Sequence, residues 1–215
     1  MSSFDLQNFF ESSAGQLLTA GIIVILFLVI LFSGRRGKTD TKALVLSAVF
    51  VTLAIVLNQI QFFPMPQGGA VTAFSMLPIA LCGYFLGVRK GLIAGICVGL
   101  LNLIFNPYII HPLQLLLDYP LAFGALGLGA FFRNSRKGLY ISYVFGVFCR
   151  YICSVLSGII FFGSYAPANF NAVTWSLWYN ITYMGTECIM TLIVLSIPAV
   201  HNVIYKLRDQ LQAQP

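Results

Sequence analysis

Charge is what this sequence has least of. Only 8% of its 215 residues are charged, whereas 59% are hydrophobic. A soluble domain of this length has no use for so much apolar surface, so the composition indicates a single compact domain that folds in a lipid bilayer. The formal net charge of +6 is then a signal of membrane topology, and nucleic acid is not expected as a partner.

Other absences narrow the chemistry. No GxxxxGK[ST] motif occurs, so the chain alone cannot hydrolyse ATP through a P-loop. The two histidines lack metal-ligand spacing, and no nucleophile–base arrangement stands out. The five cysteines form no CxxC pair and all lie in apolar segments, which predicts packing roles: Cys82, Cys97, Cys149, Cys153 and Cys188. We therefore expect neither a metal, nor a cofactor, nor an enzyme.

Apolar runs long enough to span a bilayer occur seven times. They cover about 16–33, 43–63, 70–88, 91–108, 113–132, 138–163 and 173–204. The lysines and arginines that border these runs fall into four groups, and each group follows an odd-numbered run. This pattern predicts seven helices in the cell membrane, with the N-terminus outside and the C-terminus in the cytoplasm. Residues 1–15 lack the basic start of a signal peptide, so the first run is predicted to be a retained helix.

Two carboxylates lie inside the apolar segments, although the chain has only six Asp and Glu residues in total. Asp118 follows the outer start of the fifth run, and Glu187 lies deep in the last one. A carboxylate in hydrocarbon faces a partner, a cavity or a ligand. Asp118 is read as an anchor for a cationic ligand, or else as an acid satisfied by Arg150. Glu187 is a partner of Arg150 or a proton site, and the sequence does not decide.

Polar and aromatic side chains share helix faces with these charges. Arg150, Ser154 and Gly158 form a row at four-residue spacing, which is either a ligand contact or a helix-packing seam. Trp175 and Tyr179 share a face of the last run, and the neighbouring stripe contains two polar side chains, Ser176 and Asn180. Aromatic rings beside a carboxylate suit an organic cation, although an aromatic belt at the membrane interface is the alternative.

The outer loops are rich in proline and glycine. The first one contains Gln67, Gly68 and Gly69, and such loops form short structured turns. Because Asp118 lies at the same end, the loop is interpreted as a lid over a binding site for a small polar solute.

Four segments resemble the thiamine-specific substrate-binding (S) components of energy-coupling factor transporters. They are FPMPQGGAVTAFSMLPI (63–79), HPLQLLLDYPLAFGALGLGAFFR (111–133), RYICSVLSGIIFFGSYAP (150–167) and NAVTWSLWYN (171–180). The resemblance implies an all-α membrane bundle of six helices, here at 43–208. The first predicted helix, which with its basic linker occupies 1–42, lies outside this six-helix pattern, and 209–215 form a cytoplasmic tail. The resemblance also implies that the chain captures thiamine outside the cell and works with a transmembrane coupling subunit and two cytoplasmic ATPases.

The resemblance also implies roles for particular residues. Thiamine would contact Asp118, Tyr119, Arg150, Ser154, Gly158, Phe162, Trp175, Ser176 and Asn180. Gln67 to Gly69 would be the mobile lid, and Ala48 and Thr52 would contact the coupling subunit, although packing within the bundle explains these two equally well. Ser154 stands where the family leads us to expect histidine, and Phe162 where tryptophan is common, so a thiamine precursor or analogue is an alternative ligand.

Two other classes of function remain open. A stand-alone secondary transporter would use Asp118 or Glu187 as its proton carrier, although no internal inverted repeat is evident. An intramembrane enzyme acting on lipid is the other alternative, with Ser154 as the residue to test.

Overall fold

The computed structural model describes residues 41–212, together with isolated positions between residues 12 and 28. The predicted extra helix at 16–33 falls mostly outside the described residues, and so do most of the predicted N-terminal region and the last three residues of the predicted tail. The account below concerns residues 41–212.

Helices dominate the described chain, and one small hairpin interrupts them. In chain order the elements are α1 (Thr41–Gln59), β1 (Gln61–Pro64), β2 (Ala70–Thr72), α2 (Met76–Leu86), α3 (Val88–Phe105), α4 (Pro112–Phe132), α5 (Gly138–Phe161), α6 (Ala172–Ser196) and α7 (Pro198–Gln212). Short 3-10 turns at Pro66–Gly68 and Gly163–Tyr165 lie in the loops at one end.

The membrane class is confirmed by these helices. Four of them (α1, α3, α4 and α5) are long and apolar enough to cross a bilayer, and a fifth span results if α6 and α7 are counted together. α2 is a shorter apolar helix of 11 residues. The protein is therefore an all-α membrane protein, while the predicted number of spans stays a prediction.

Three predicted runs are wrong in detail. The run at 43–63 extends past the end of α1 at Gln59 into strand β1. The run at 70–88 begins as strand β2, because Ala70–Thr72 pairs antiparallel with Gln61–Pro64 before α2 starts. The run at 173–204 is not one helix. Helix α6 ends at Ser196, and α7 follows at an angle of 82° to it, since Pro198 cannot donate the backbone hydrogen bond that would continue α6.

A row of glycines places α4 at the centre of the bundle. A Cβ at Gly95 would lie 2.2 Å from the carbonyl oxygen of Phe123, and one at Gly99 would lie 2.3 Å from that of Tyr119. Glycine at four-residue spacing lets two helices approach backbone to backbone. The close contact with α3 therefore fixes the position of α4 along its own axis, and with it the position of Asp118.

Among residues 41–212, basic residues of the α4–α5 loop and of α7 lie together at the end of the bundle away from the hairpin. Arg208 of α7 donates hydrogen bonds to the hydroxyl of Tyr84 at 2.9 Å and to Asn134 Oδ1 at 3.2 Å. α7 thus packs across the ends of α2 and the α4–α5 loop. This arrangement supports the predicted topology, in which these loops face the cytoplasm.

Candidate functional site

A cavity opens beneath the hairpin at the outer end of the bundle. It encloses about 1030 Å³ of space between protein atoms, part of it open to the outside. The structure brings all the predicted ligand-contact and lid residues to this one cavity: Gln67, Gly68, Gly69, Asp118, Tyr119, Arg150, Ser154, Gly158, Phe162, Trp175, Ser176 and Asn180. Their roles toward a ligand stay predictions.

Asp118 lies where α4 widens. Leu117–Leu121 forms a π-helical segment around Pro120, because proline removes one backbone donor from the helix. One carboxylate oxygen, Oδ2, accepts hydrogen bonds from Gln114 Nε2 at 2.7 Å and from Ser157 Oγ at 2.8 Å. Within residues 41–212 no group donates to the other oxygen, so Oδ1 retains its capacity to bind a ligand.

Tyr119 braces the loop between α3 and α4. Its hydroxyl accepts a hydrogen bond from the backbone N–H of Tyr108 at 2.7 Å and donates to the carbonyl oxygen of Asn106 at 2.9 Å. The ring is buried, with 6% of its surface exposed. Tyr119 therefore holds Tyr108 at the mouth of the cavity, a role that the sequence did not predict.

Arg150 has neither of the carboxylate partners considered from the sequence. Its guanidinium lies 4.0 Å from the centre of the Phe123 ring, and its buried Nε has no hydrogen-bond partner. In the described part of the chain it forms no ion pair with Asp118 or Glu187. A cation stacked on an aromatic ring is stabilised by the ring quadrupole, which leaves the remaining guanidinium N–H groups available to the cavity.

Helices α5 and α6 meet at small polar residues below Trp175. A Cβ at Gly158 would lie 2.1 Å from Ser176 Oγ, so only glycine fits there. Ser176 donates to the carbonyl oxygen of Val155 at 2.8 Å. Asn180 donates to the carbonyl oxygen of Ser176 at 2.9 Å and accepts from the hydroxyl of Tyr183 at 2.9 Å. These two polar side chains thus join the helices as well as lining the cavity.

The hairpin closes over the cavity through its tip. Gln67 and Gly68 have positive φ values of 63° and 86°, which glycine adopts freely. The backbone N–H of Gly69 donates to the hydroxyl of Tyr179 at 3.0 Å, and that hydroxyl donates to the carbonyl oxygen of Pro66. The tip is therefore fastened to α6 one turn beyond Trp175.

Aromatic rings surround the mouth of the cavity. The Trp175 and Tyr179 rings lie 5.8 Å apart, and the rings of Tyr108 and Phe162 stack at 5.9 Å. Trp178 points away, with 60% of its surface exposed, as an interfacial belt residue would. The mouth of the cavity is thus lined by aromatic rings.

Glu187 forms the floor of the cavity below the hairpin. It is 3% exposed, and its carboxylate accepts hydrogen bonds from Thr72 and Met76. The partners of Glu187 therefore lie at the base of the hairpin. Arg150, which the sequence suggested as a partner, is not one of them.

Sequence reasoning missed several contributors to the site. Gln114 could have been predicted as a partner of Asp118, because it lies one helical turn before Asp118 in an otherwise apolar segment. Tyr179 was noticed only as the companion of Trp175, although it fastens the lid. The bonds of Glu187 to Thr72 join residues that are 115 positions apart in the sequence, and no local pattern predicts them.

The two predicted coupling-subunit contacts lie elsewhere. Ala48 and Thr52 are exposed on α1, and the Thr52 hydroxyl donates to the carbonyl oxygen of Ala48 at 2.9 Å. The most apolar stretch of α1 has only 17% of its residues buried. Ala48 and Thr52 are therefore directed away from the bundle, which is not the intra-bundle packing considered as the alternative for these two residues.

The fold and the cavity define a class: an all-α, multi-pass membrane protein with a solute pocket at one end. A family model described as "Thiamine transporter protein" matches residues 44–206. The thiamine transporter ThiT of Bacillus subtilis (strain 168) is 40% identical over 164 residues, covering 69% of this chain and 85% of the relative. The ThiT of Lacticaseibacillus paracasei is 27% identical over 176 residues, covering 70% and 83%.

A solved structure of ThiT from Listeria monocytogenes shares the fold. Its TM-score is 0.61 at 22% identity, and the match covers 81% of this chain and 96% of that one. The chain belongs to the thiamine transporter protein family. It is a multi-pass protein of the cell membrane, and its relatives are named as transport proteins, not as enzymes.

Proposed function

We propose that this chain is the substrate-binding subunit of an energy-coupling factor importer and captures thiamine at the outer face of the membrane. The observation that carries the proposal is the arrangement of Asp118. One carboxylate oxygen is held by Gln114 and Ser157, while the other has no protein donor among residues 41–212. The held oxygen fixes the carboxylate, and the second oxygen is available to the ligand.

Charge favours a cationic ligand at this place. Thiamine has a permanently charged thiazolium ring and a flat aminopyrimidine ring. Asp118 receives its hydrogen bonds from neutral side chains, and within residues 41–212 it forms no ion pair. Once the lid closes and excludes water, an opposite charge on the ligand interacts far more strongly than it would in bulk solvent.

The aromatic residues at the mouth of the cavity suit the same ligand. Trp175 and Tyr179 line the cavity with rings 5.8 Å apart, and Tyr108 and Phe162 line it with rings 5.9 Å apart. Flat heterocycles stack on such rings, and a cationic ring gains the additional attraction of their quadrupoles. Asn180 and Arg150 add polar groups deeper in the cavity.

Assembly with a coupling subunit and two ATPases explains how the chain performs uptake. The chain has no P-loop of its own, so ATP must be hydrolysed by partners. The exposed Ala48–Thr52 face of α1 offers small side chains to a partner helix, which supports docking of the coupling subunit there.

Transport assays separate this proposal from a stand-alone transporter. The chain is reconstituted in lipid vesicles, either alone or with a coupling subunit and ATPases, and labelled thiamine uptake is measured. Uptake that requires both partners and internal ATP is the expected result. Uptake by the chain alone, driven by a proton gradient, would replace the proposal with secondary transport.

A further inference from the structure

Glu187 has the densest set of hydrogen bonds of any acid in the described chain. Oε2 accepts from the backbone N–H of Thr72 at 3.1 Å and from the Thr72 hydroxyl at 2.6 Å. Oε1 accepts from the backbone N–H of Met76 at 3.1 Å and lies 3.4 Å from Ser75 Oγ. All these partners belong to the five-residue segment in which β2 ends and α2 begins.

The two backbone donors require an acceptor at both oxygens. A carboxylate accepts at each oxygen, whereas the isosteric amide of glutamine accepts at only one. Met76 is the first residue of α2, so its N–H is one of the groups that have no partner within the helix. The carboxylate supplies that partner and places negative charge at the positive end of α2.

Helix α6 therefore holds the lid hairpin at two points. Tyr179 binds the tip at Gly69, and Glu187 binds the root at Thr72. The two side chains are eight residues apart on α6, or about 12 Å along the axis. The attachment at the tip is a hydroxyl at the mouth of the cavity, whereas that at the root is a buried carboxylate.

We propose that Glu187 is the positioning residue for the lid: it clamps the root of the β1–β2 hairpin to α6, so that the hairpin opens and closes at its tip. This inference rests on the proposed function, because it assigns the retention of thiamine to this clamp. Glu187 acts through Thr72 and Met76, and its carboxylate oxygens are occupied by them. It therefore governs how long the closed state lasts rather than which ligand is chosen.

The test is stopped-flow tryptophan fluorescence of thiamine binding to the full chain in detergent, with Glu187→Gln as the variant. Whichever way the amide turns, one of the two backbone N–H groups then faces an NH₂ group. We expect the dissociation rate of thiamine to rise by about tenfold or more, because a root that is no longer fixed lets the closed hairpin leave the cavity more often. The association rate should stay within about threefold, because the mouth is accessible in the open state whether or not the root is fixed.

Thr191→Val is the matched control. Thr191 is fully buried one turn further along α6, and its hydroxyl donates to the backbone oxygen of Glu187 at 2.8 Å. It touches neither the hairpin nor the cavity. An equal rise in dissociation rate in this control would overturn the proposal, because loosening of α6 would then explain both results.

Thr72→Val provides a second variant that retains the backbone N–H and removes only the hydroxyl. Dissociation should again be faster, and the effects of Thr72→Val and Glu187→Gln should combine to less than their product, since both act on one contact. Independent, fully multiplicative effects would contradict the clamp.

Hydrogen exchange without ligand separates this inference from the proposed function. Glu187→Gln should speed exchange at the amides of Thr72 and Met76 while exchange at the centre of α6 stays unchanged. Unchanged exchange at both amides would refute the clamp, whatever the ligand. If the wild-type chain does not bind thiamine, the proposed function fails, while the exchange result still decides whether Glu187 holds the root.

Discussion

Replacing Asp118 with asparagine isolates the charge that the cavity presents to its ligand. Gln114 Nε2 and Ser157 Oγ both bond to the same oxygen, Oδ2. The amide oxygen of the substituted side chain can take that place and keep both bonds. The NH₂ group then replaces Oδ1, so the substitution changes the group that faces the ligand and leaves the protein contacts in place.

The magnitude follows from loss of one partner in a desolvated charge pair. Removing one member of such a pair costs ~3–5 kcal/mol, because the other charge remains buried and uncompensated. At ~1.4 kcal/mol per decade, the dissociation constant for thiamine should rise by about two to three decades.

Isothermal titration calorimetry of the purified protein measures this change, and Ser157→Ala is the control. That variant loses one hydrogen bond to the carboxylate but keeps the charge. It should weaken binding by only about one decade, in line with ~1.5 kcal/mol for a bond to a charged group. An affinity of the Asp118→Asn protein within about threefold of wild type would refute the reasoning, because another group would then balance the ligand's charge.

Three further substitutions test the lid and the partner face. Tyr179→Phe removes the hydroxyl that bonds the hairpin tip, so thiamine dissociation in stopped-flow assays should accelerate by about tenfold; an unchanged rate would show that the tip bond is dispensable. Gly69→Ala places a Cβ 2.5 Å from that hydroxyl, so equilibrium titration should show clearly weaker binding, and wild-type affinity would mean that the closed lid is not needed. Ala48→Trp should leave thiamine binding intact yet abolish ATP-driven uptake in vesicles containing the partners; unchanged uptake would remove α1 from the docking surface.

The helices were predictable wherever an apolar run ended at a strong breaker or a charged loop. The run at 138–163 matches α5 closely because Arg136–Lys137 precede it, whereas α3 begins at Val88 and so includes Arg89–Lys90, which the run at 91–108 leaves out. The hairpin was not predicted, since the run at 43–63 continues to Phe62 and Phe63 past the polar residues Asn58, Gln59 and Gln61. Hydrophobicity marks the membrane, but it does not distinguish a strand from a helix in so short a segment.

The cavity was predictable as far as buried polar residues and the family resemblance identify its members. Asp118 and Arg150 stand out because charge is so rare in the apolar segments. Their partners were harder to predict: Arg150 stacks on Phe123 rather than pairing with an acid, and Glu187 bonds to a segment more than 100 residues away. Such contacts depend on how the helices pack against one another, and the residue periodicity within a single helix carries no information about that packing.

The central claim, that the cavity binds thiamine, is tested most directly by tryptophan fluorescence. The chain has two tryptophans, of which Trp175 lines the cavity and Trp178 points outward. Titration with thiamine should quench the fluorescence saturably at submicromolar concentration, corresponding to about −8 kcal/mol or better, and Trp175→Phe should remove most of the signal. A response only to the isolated pyrimidine moiety would change the ligand, and no response from folded protein to either compound would contradict the claim.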